Sequence, residues 1–305
     1  MASPGQPLGF GQRAPDFVLP RKDGTPTRFY AIAGGRSMTL LFRDGEVCLY
    51  DRDFHSPVEV LTDSGGAVSA AYGTAGEATA FVLDPNLRVL GVLKPGDGPP
   101  ARHQVYALLD RAVPVPAPVL LVPNVLSARD CAWLIDLWHT QGAVETGVEA
   151  TREGRREEEL SEVHKRRRDH TVTNAETVRR IAGMVGRALM SELHKAFVYR
   201  ATRFEGFKIG CYDAETGGFF RTHRDNLSPA TAHRRFALTL NLNHDYTGGE
   251  LRFPEYGPHL YRPPAGGALV FSCSHLHEVL DVTSGRRFVL LSFLYGDEEP
   301  RQRSA

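Results

Sequence analysis

The chain has 305 residues, 42% of them hydrophobic and 24% charged, a profile of ordinary soluble globular proteins and long enough for two cores. Thirty-six basic side chains balance thirty-six acidic ones, so bulk charge points to neither nucleic acid nor an anionic membrane as a partner. The opening MASPGQPLGFGQRAPDF has no basic segment leading into an apolar run, and VPVPAPVLLVPNVL is broken by prolines and too short to span a bilayer. Cys48, Cys131, Cys211 and Cys273 share no paired spacing, which suits a reduced compartment, so a cytoplasmic protein is expected.

In chain order, SMTLLF (37–42) reads as an apolar strand and AVSAAYG (67–73) as a short helix closed by Gly73. ATAFVLD and NLRVLGVL follow as two strands, and ARHQVYALLDRA (101–112) as an amphipathic closing helix. Such alternation suggests a small α/β sheet. The alternating prolines of RAVPVPAPVL (111–120) can neither continue a helix nor sit in a central strand, so they mark a linker. Beyond it, SARDCAWLIDLWHTQG has Ser127 as N-cap and an apolar stripe at Cys131, Leu134, Ile135 and Trp138. TNAETVRRIAGMVGRALMSELHKAF offers Thr173 and Glu176 in capping-box spacing, with Val178, Ile181, Val185, Leu189 and Leu193 on one face. Between these helices, TREGRREEELSEVHKRRRDH (151–170) reads as a solvated loop with a short helical piece; the alternative is a lid carrying Arg166–Arg168.

From residue 205 the texture changes. Short strands EGFKIGCY, GFFRTH, RFALTLNLN, GELRF, HLYR, ALVFS, HEVLDV and RRFVLLSFLY are separated by DAETG, TGG, PPAGG and TSG, the pattern of an antiparallel sandwich or jelly roll. Within it, FFRTHRDN places His223 and Asp225 two apart, so both side chains leave one strand face. Two histidines and a carboxylate, with open positions opposite, are what a redox-active ferrous site needs. SCSHLHEVLDVTSGRR offers His275 and His277 for the third position, and alternation alone cannot choose between them. Ten residues beyond His277 comes Arg287, whose planar fork suits a carboxylate.

The order CYDAETGGFFRTHRDN, RRFALTLNLNHDYTGGELRF and PPAGGALVFSCSHLHEVLDVTSGRRFVLLSFL resembles the iron(II)/2-oxoglutarate-dependent dioxygenases, in particular their prolyl 4-hydroxylase-like group. The likeness covers about residues 205–295, with weaker similarity back to residue 127. It implies Fe(2+) ligands at His223, Asp225 and His277, with Arg287 rather than Arg286 on the distal carboxylate of 2-oxoglutarate and Tyr212 as a further co-substrate contact. It also implies O2 as co-substrate, L-ascorbate as an accessory reductant, and hydroxylation of a peptide, protein or small-molecule substrate with release of succinate and CO2. Where some relatives carry a tyrosine on the strand before Leu-Asn, this strand reads ALTLNLN, which leaves Asn241 or Thr239 to fill that place. Asn226 is expected to close its turn, Gly248, Gly249, Gly266 and Gly267 to shape hairpins, and His233, Arg234 and Arg235 to lie on a solvated hairpin end.

The segments APDFVLPRKDG, SMTLLF and AAYGTAGEATAFVLDPNLRVLGVL resemble the peroxiredoxin branch of the thioredoxin fold over about residues 8–112. Cys48 follows the first strand, but Gly45 stands three before it, where a peroxidase keeps a threonine. The expected architecture is α+β in two domains: a shortened thioredoxin-like α/β domain (8–112), a proline-rich linker (113–120), and a dioxygenase domain (121–299) with flanking helices and a C-terminal double-stranded β-helix. Two other functions compete with this: a non-catalytic β-helix binding or sensing module, and a thiol peroxidase centred on Cys48.

Overall fold

A computed structural model describes residues 8–296 apart from 34, 75, 147, 153–154 and 160–163. The chain forms two compact units. The first holds the described residues up to Pro116 together with Phe253–Pro258; the second holds Ala117–Arg252 and the chain from His259 onward.

The first unit opens with the ribbon β1 (Val18–Pro20) and β2 (Pro26–Arg28) and the short helix α1 (Phe29–Ala33). Its sheet is built from β3 (Met38–Arg43), β4 (Glu46–Tyr50), β5 (Glu59–Thr62), β6 (Thr79–Leu83) and β7 (Val89–Leu93), in the order β5-β4-β3-β6-β7. Helix α2 (Ala67–Tyr72) ends at Gly73 in a left-handed conformation, and α3 (Arg102–Leu109) follows the last strand. β3 and β6 are buried on both faces, which is why they read as continuous apolar runs rather than alternations. Phe17, Phe29, Phe42, Tyr72 and Phe81 fill the larger core; Phe17 stacks on Phe29 at 5.0 Å.

This sheet departs from the thioredoxin-like expectation. Every pairing in it is antiparallel. The parallel strand–helix–strand crossover that defines such a domain is replaced by a β3–β4 hairpin through Asp44 and Gly45, both at positive φ. The dipeptide Asp-Gly is the local signal for that turn, and β4 and β5 were not expected from the sequence. Cys48 therefore sits in the middle of β4 rather than at a helix N-terminus, and burial, with Glu46 beside it, pushes its thiol pKa up. That placement removes the basis of the peroxidase reading, which needs a thiolate stabilised at low pKa.

The second unit begins with β8 (Leu120–Val122), α4 (Ala128–Gln141), β9 (Val144–Glu145), the hairpin β10 (Val148–Arg152) and β11 (Arg155–Glu159), β12 (Lys165–Arg166) and β13 (Arg168–Val172). The segment 151–170 is thus mostly strand, not a solvated loop; its residues 153–154 and 160–163 lie outside the described ones. Helix α5 (Ala175–Phe197) is capped by Asn174, whose side chain accepts from the Glu176 and Thr177 amides, one residue later than the Thr173 cap expected. β14 (Arg203–Phe204), β15 (Phe207–Asp213), β16 (Phe219–His223) and β17 (Phe236–Asn241) follow. The chain continues through β18 (Tyr246–Gly248), β19 (Leu251–Arg252), β20 (Leu260–Tyr261), β21 (Ala268–Ser272), β22 (His277–Val279) and β23 (Val282–Tyr295). β23 runs through Thr283–Gly285, read from sequence as a turn, because that stretch pairs with β18.

Two antiparallel sheets result. One runs β12-β16-β22-β19-β20; the larger runs β8-β21-β17-β23-β15-β13-β9, with β14 and β18 also pairing to β23. Alternation sorts the larger sheet into two faces. Leu238 and Leu240 of β17, Ile209 of β15, Val270 of β21 and Leu290 of β23 join Leu134 and Trp138 of α4 and Ile181, Val185, Leu189 and Leu193 of α5 in one core. The residues between them, Tyr212, Thr239, Asn241, Phe271 and Arg287, are buried too: Arg287 meets Tyr212 and Asn241, Asn241 meets Tyr246, and Phe271 meets His277.

Candidate metal centre

His223 closes β16 directly opposite His277, the first residue of β22. Their rings lie 4.2 Å apart between centroids. Each imidazole engages a backbone carbonyl through Nδ1, His223 that of Arg221 at 2.8 Å and His277 that of His275 at 3.0 Å. Both Nε2 atoms then face the Asp225 carboxylate, 3.5 Å from Oδ1 and 3.5 Å from Oδ2 respectively. One ligand atom from each of the three lies within 4.8 Å of the others, the only such group among the described residues. Nδ1 fixed to a carbonyl and Nε2 left for a cation is how proteins orient ligating histidines. Two imidazoles and a carboxylate on one side fit ferrous iron with positions left open. The ring of His275 is not part of the group; that residue contributes its carbonyl.

A bulge in β16 between Phe220 and His223 gives the centre its shape. On a regular strand these residues, three apart, would point to opposite faces. Here the Phe220 ring stacks on His223 at 3.6 Å, while Phe271 meets His277 edge-on at 4.6 Å. Apolar walls thus close on both imidazoles. Burial, and then the neighbouring His223 ring, lower the His277 pKa to about 4, so its ring is neutral and ready to ligate. Burial alone would raise the Asp225 pKa, but the His277 and His223 rings outweigh it and hold the carboxyl at about 2.

The backbone of Asp225 is pinned from two sides. Its N–H donates to the Cys273 carbonyl at 3.0 Å, and its carbonyl accepts from Arg234 Nη1 at 3.2 Å. Arg234 forks onto Glu205 at 2.7 and 2.8 Å, and His233 Nε2 meets the same carboxylate at 2.8 Å. His233 and Arg234 are therefore buried, not part of a solvated hairpin end. Asn226 bonds the Ser274 hydroxyl across the site at 2.9 Å rather than closing its own turn.

Among the described residues, Arg287 is the largest fully buried side chain and has no carboxylate within ion-pair distance. It stands opposite Tyr212 in the β15–β23 ladder, its guanidinium 5.4 Å from that ring's centroid. Its Nε donates to Asn241 Oδ1 at 3.2 Å. Arg286 is half exposed and pairs with Asp213. Sequence reasoning missed two further residues here. Tyr246, from β18, has its hydroxyl 2.7 Å from Asn241 Nδ2. Arg167 donates to the Tyr212 hydroxyl at 3.0 Å and forks onto the buried Asp169. A tyrosine within the otherwise polar NHDYTGG was the one available signal for the first; the second figured only within the Arg166–Arg168 run of the lid alternative, with no partner assigned to it.

Comparison with known proteins gives this geometry a family. The model of the 2OG-Fe(II) oxygenase superfamily matches residues 207–295, a span that contains His223, Asp225, His277 and Arg287. Residues 207–295 are a 2OG-Fe(II) oxygenase domain. Among curated proteins, the chain is 30% identical over 133 residues to a PKHD-type hydroxylase of a Synechococcus strain, covering 41% of this chain and 58% of that protein. It is 37% identical over 83 residues to a PKHD-type hydroxylase of Acaryochloris marina, covering 26% and 38%. The chain thus spans less than two thirds of the curated relatives it matches. Among solved structures, a prolyl hydroxylase from Trichoplax adhaerens, in complex with a hypoxia inducible factor peptide fragment, aligns at a TM-score of 0.49 with 15% identity, over 61% of this chain and 87% of that one. A Pseudomonas putida prolyl-4-hydroxylase aligns at 0.44 with 16% identity, over 59% and 93%.

Proposed function

We propose that the oxygenase domain is an Fe(II)- and 2-oxoglutarate-dependent dioxygenase, folded as a double-stranded β-helix, that hydroxylates a C–H bond of a peptidyl, amino-acid or small-molecule substrate. One observation carries this reading: two opposed imidazoles and a carboxylate converge in a domain that also buries a guanidinium with no counter-charge among the described residues. A buried cation without a counter-charge is costly, and a dicarboxylic co-substrate supplies the missing charge. His223, Asp225 and His277 would hold the metal, and Arg287 and Tyr212 would take the distal carboxylate of 2-oxoglutarate. When bound, iron and 2-oxoglutarate together supply O2-dependent oxidation of the substrate, with succinate and CO2 as co-products.

The protein's own part is orientation and exclusion of water. The Nδ1–carbonyl contacts lock both imidazoles, the Arg234–Glu205 fork steadies Asp225 from behind, and Phe220 and Phe271 keep solvent from the ligating atoms. The four free cysteines support a reducing, cytoplasmic setting.

Anaerobic protein given Fe(II) and 2-oxoglutarate is expected to develop a weak visible metal-to-ligand charge-transfer band, and His223→Ala to lose it. No band in the wild type would sink the reading. Once a band is seen, succinate release screened across peptides and small metabolites, with L-ascorbate present, identifies the substrate.

A further inference from the structure

The amide of Asn241 was the expected stand-in for a co-substrate tyrosine, and its hydrogen-bond inventory speaks against a direct role. A side-chain amide has two N–H donors and one carbonyl. Both donors of Asn241 are spent inside the protein, on the Tyr246 hydroxyl at 2.7 Å and the Pro263 carbonyl at 2.7 Å. Its carbonyl accepts from Arg287 Nε at 3.2 Å. Asn241 is also 99% buried, at 1% exposure. Nothing is left on this residue with which to grip an anion.

Tyr246 is in the opposite condition. Its hydroxyl accepts from Asn241, and among the described residues no acceptor stands within hydrogen-bond reach of its own proton. The side chain is buried at 5% exposure, where an undirected hydroxyl proton calls for an explanation. Its ring and Arg287 flank the same small space. A Cβ built on Gly249 would lie 3.0 Å from Arg287 Cδ and 3.7 Å from Tyr246 Cε2. Arg262 lies over the Tyr246 ring at 4.4 Å and pairs with Glu250 at 3.1 Å, which holds the ring in place. On the other flank of Arg287, the Tyr212 hydroxyl accepts from Arg167 and likewise has no acceptor for its proton among the described residues.

We propose that Tyr246 is a co-substrate-binding residue: its hydroxyl donates to the distal carboxylate of 2-oxoglutarate beside Arg287, while Asn241 acts as a positioning residue that ties the two together. This rests on the dioxygenase reading above. The strand that lacks a tyrosine at 241 recovers a phenol from β18, five residues further along the chain, and the shorter amide at 241 leaves room for it.

The test is a titration of the anaerobic, Fe(II)-loaded full chain, following the charge-transfer band with two 2-oxo acids. One is 2-oxoglutarate; the other is 2-oxobutyrate, which chelates metal the same way but has no distal carboxylate. Losing one charge-assisted hydrogen bond should weaken 2-oxoglutarate binding by roughly tenfold or more in Tyr246→Phe, with 2-oxobutyrate binding within about twofold of wild type. In the same assay Asn241→Ala and Tyr246→Phe should combine less than additively, because both act through one hydroxyl. Unchanged 2-oxoglutarate affinity in Tyr246→Phe overturns the proposal. So does an equal loss for both acids, which would assign Tyr246 to the architecture of the site rather than to the carboxylate. A wild type that gives no band with 2-oxoglutarate overturns the dioxygenase reading and this inference with it, whereas a normal wild type with an unaltered variant overturns this inference alone.

Discussion

Asp169 is the anion on which the cations next to the oxygenase site depend. It is completely buried, receives both arms of Arg167 at 2.6 and 2.8 Å, and lies 3.7 Å from Lys165. Burial on its own would raise its pKa; Arg167 overrides this and lowers it. The folded carboxyl therefore holds its proton less readily than the unfolded one. The pair adds stability that is present in full above the unfolded value near 3.8 and is lost as pH falls through the lower folded value. Asp169→Asn should cost about 3–5 kcal/mol at pH 7, since it leaves Arg167 buried without its counter-charge. Denaturant titrations at pH 7 and pH 3 should show that gap narrowing in acid; a gap independent of pH would mean that the ion pair is not its source. Most of the candidate metal centre was legible at this scale. His223 and Asp225 share a face by simple alternation, and a third histidine was visible in SCSHLHEV. Tyr246 and Arg167 were not legible, because each reaches the site through pairings between distant strands that no local pattern encodes.

At the scale of elements, the three-residue strand β18 carries a large burden. Gly248 and Gly249 both hold positive φ there, and Gly249 lines Arg287. Gly249→Ala would place a Cβ 2.8 Å from Val282 Cγ2 and 3.0 Å from Arg287 Cδ, in a conformation that itself costs about 1–2 kcal/mol for a residue with a side chain. Binding of 2-oxoglutarate should weaken by roughly tenfold, in line with that strain, while Co(II) binding at the histidines is retained. Calorimetric titration with each ligand checks both halves. Helix α5 presents a different case. Leu189 is fully buried against the large sheet, and Leu189→Ala should lower stability by about 2–5 kcal/mol, read as a shift in urea midpoint at constant slope. The long helices were readable because their caps and stripes repeat over several turns. β4 and β5 escaped notice because five- and four-residue strands offer few repeats, although Asp44-Gly45 marked the turn between β3 and β4. The end of the β22–β23 connection was misread for the reverse reason: Thr-Ser-Gly looks like a turn locally but is part of a strand that pairs with β18.

At the scale of the whole molecule, no helix among the described residues is long and apolar enough to cross a membrane. The two units divide at Pro116–Ala117, within the proline-rich run 111–120. The return of Phe253–Pro258 to the first unit was not visible, since FPEYGP reads as an ordinary loop between two short strands. The backbone amide of Val115 donates to the Tyr256 carbonyl at 2.8 Å, and a Cβ on Gly35 would lie 2.5 Å from Pro254 Cβ. In a fragment ending at residue 116, the Val115 amide should exchange with solvent far faster than in the intact chain, as hydrogen-exchange mass spectrometry would show; equal protection would mean that the returning segment is dispensable. The same feature sets an order of events during synthesis. Multidomain chains usually complete their N-terminal part first as they leave the ribosome. Here the first unit waits for residue 258, by which time both long helices and most of the strands of the second unit have already emerged. The last contacts of the earlier unit, among them that from the Val115 amide to the Tyr256 carbonyl, therefore form only after most of the later unit has been made.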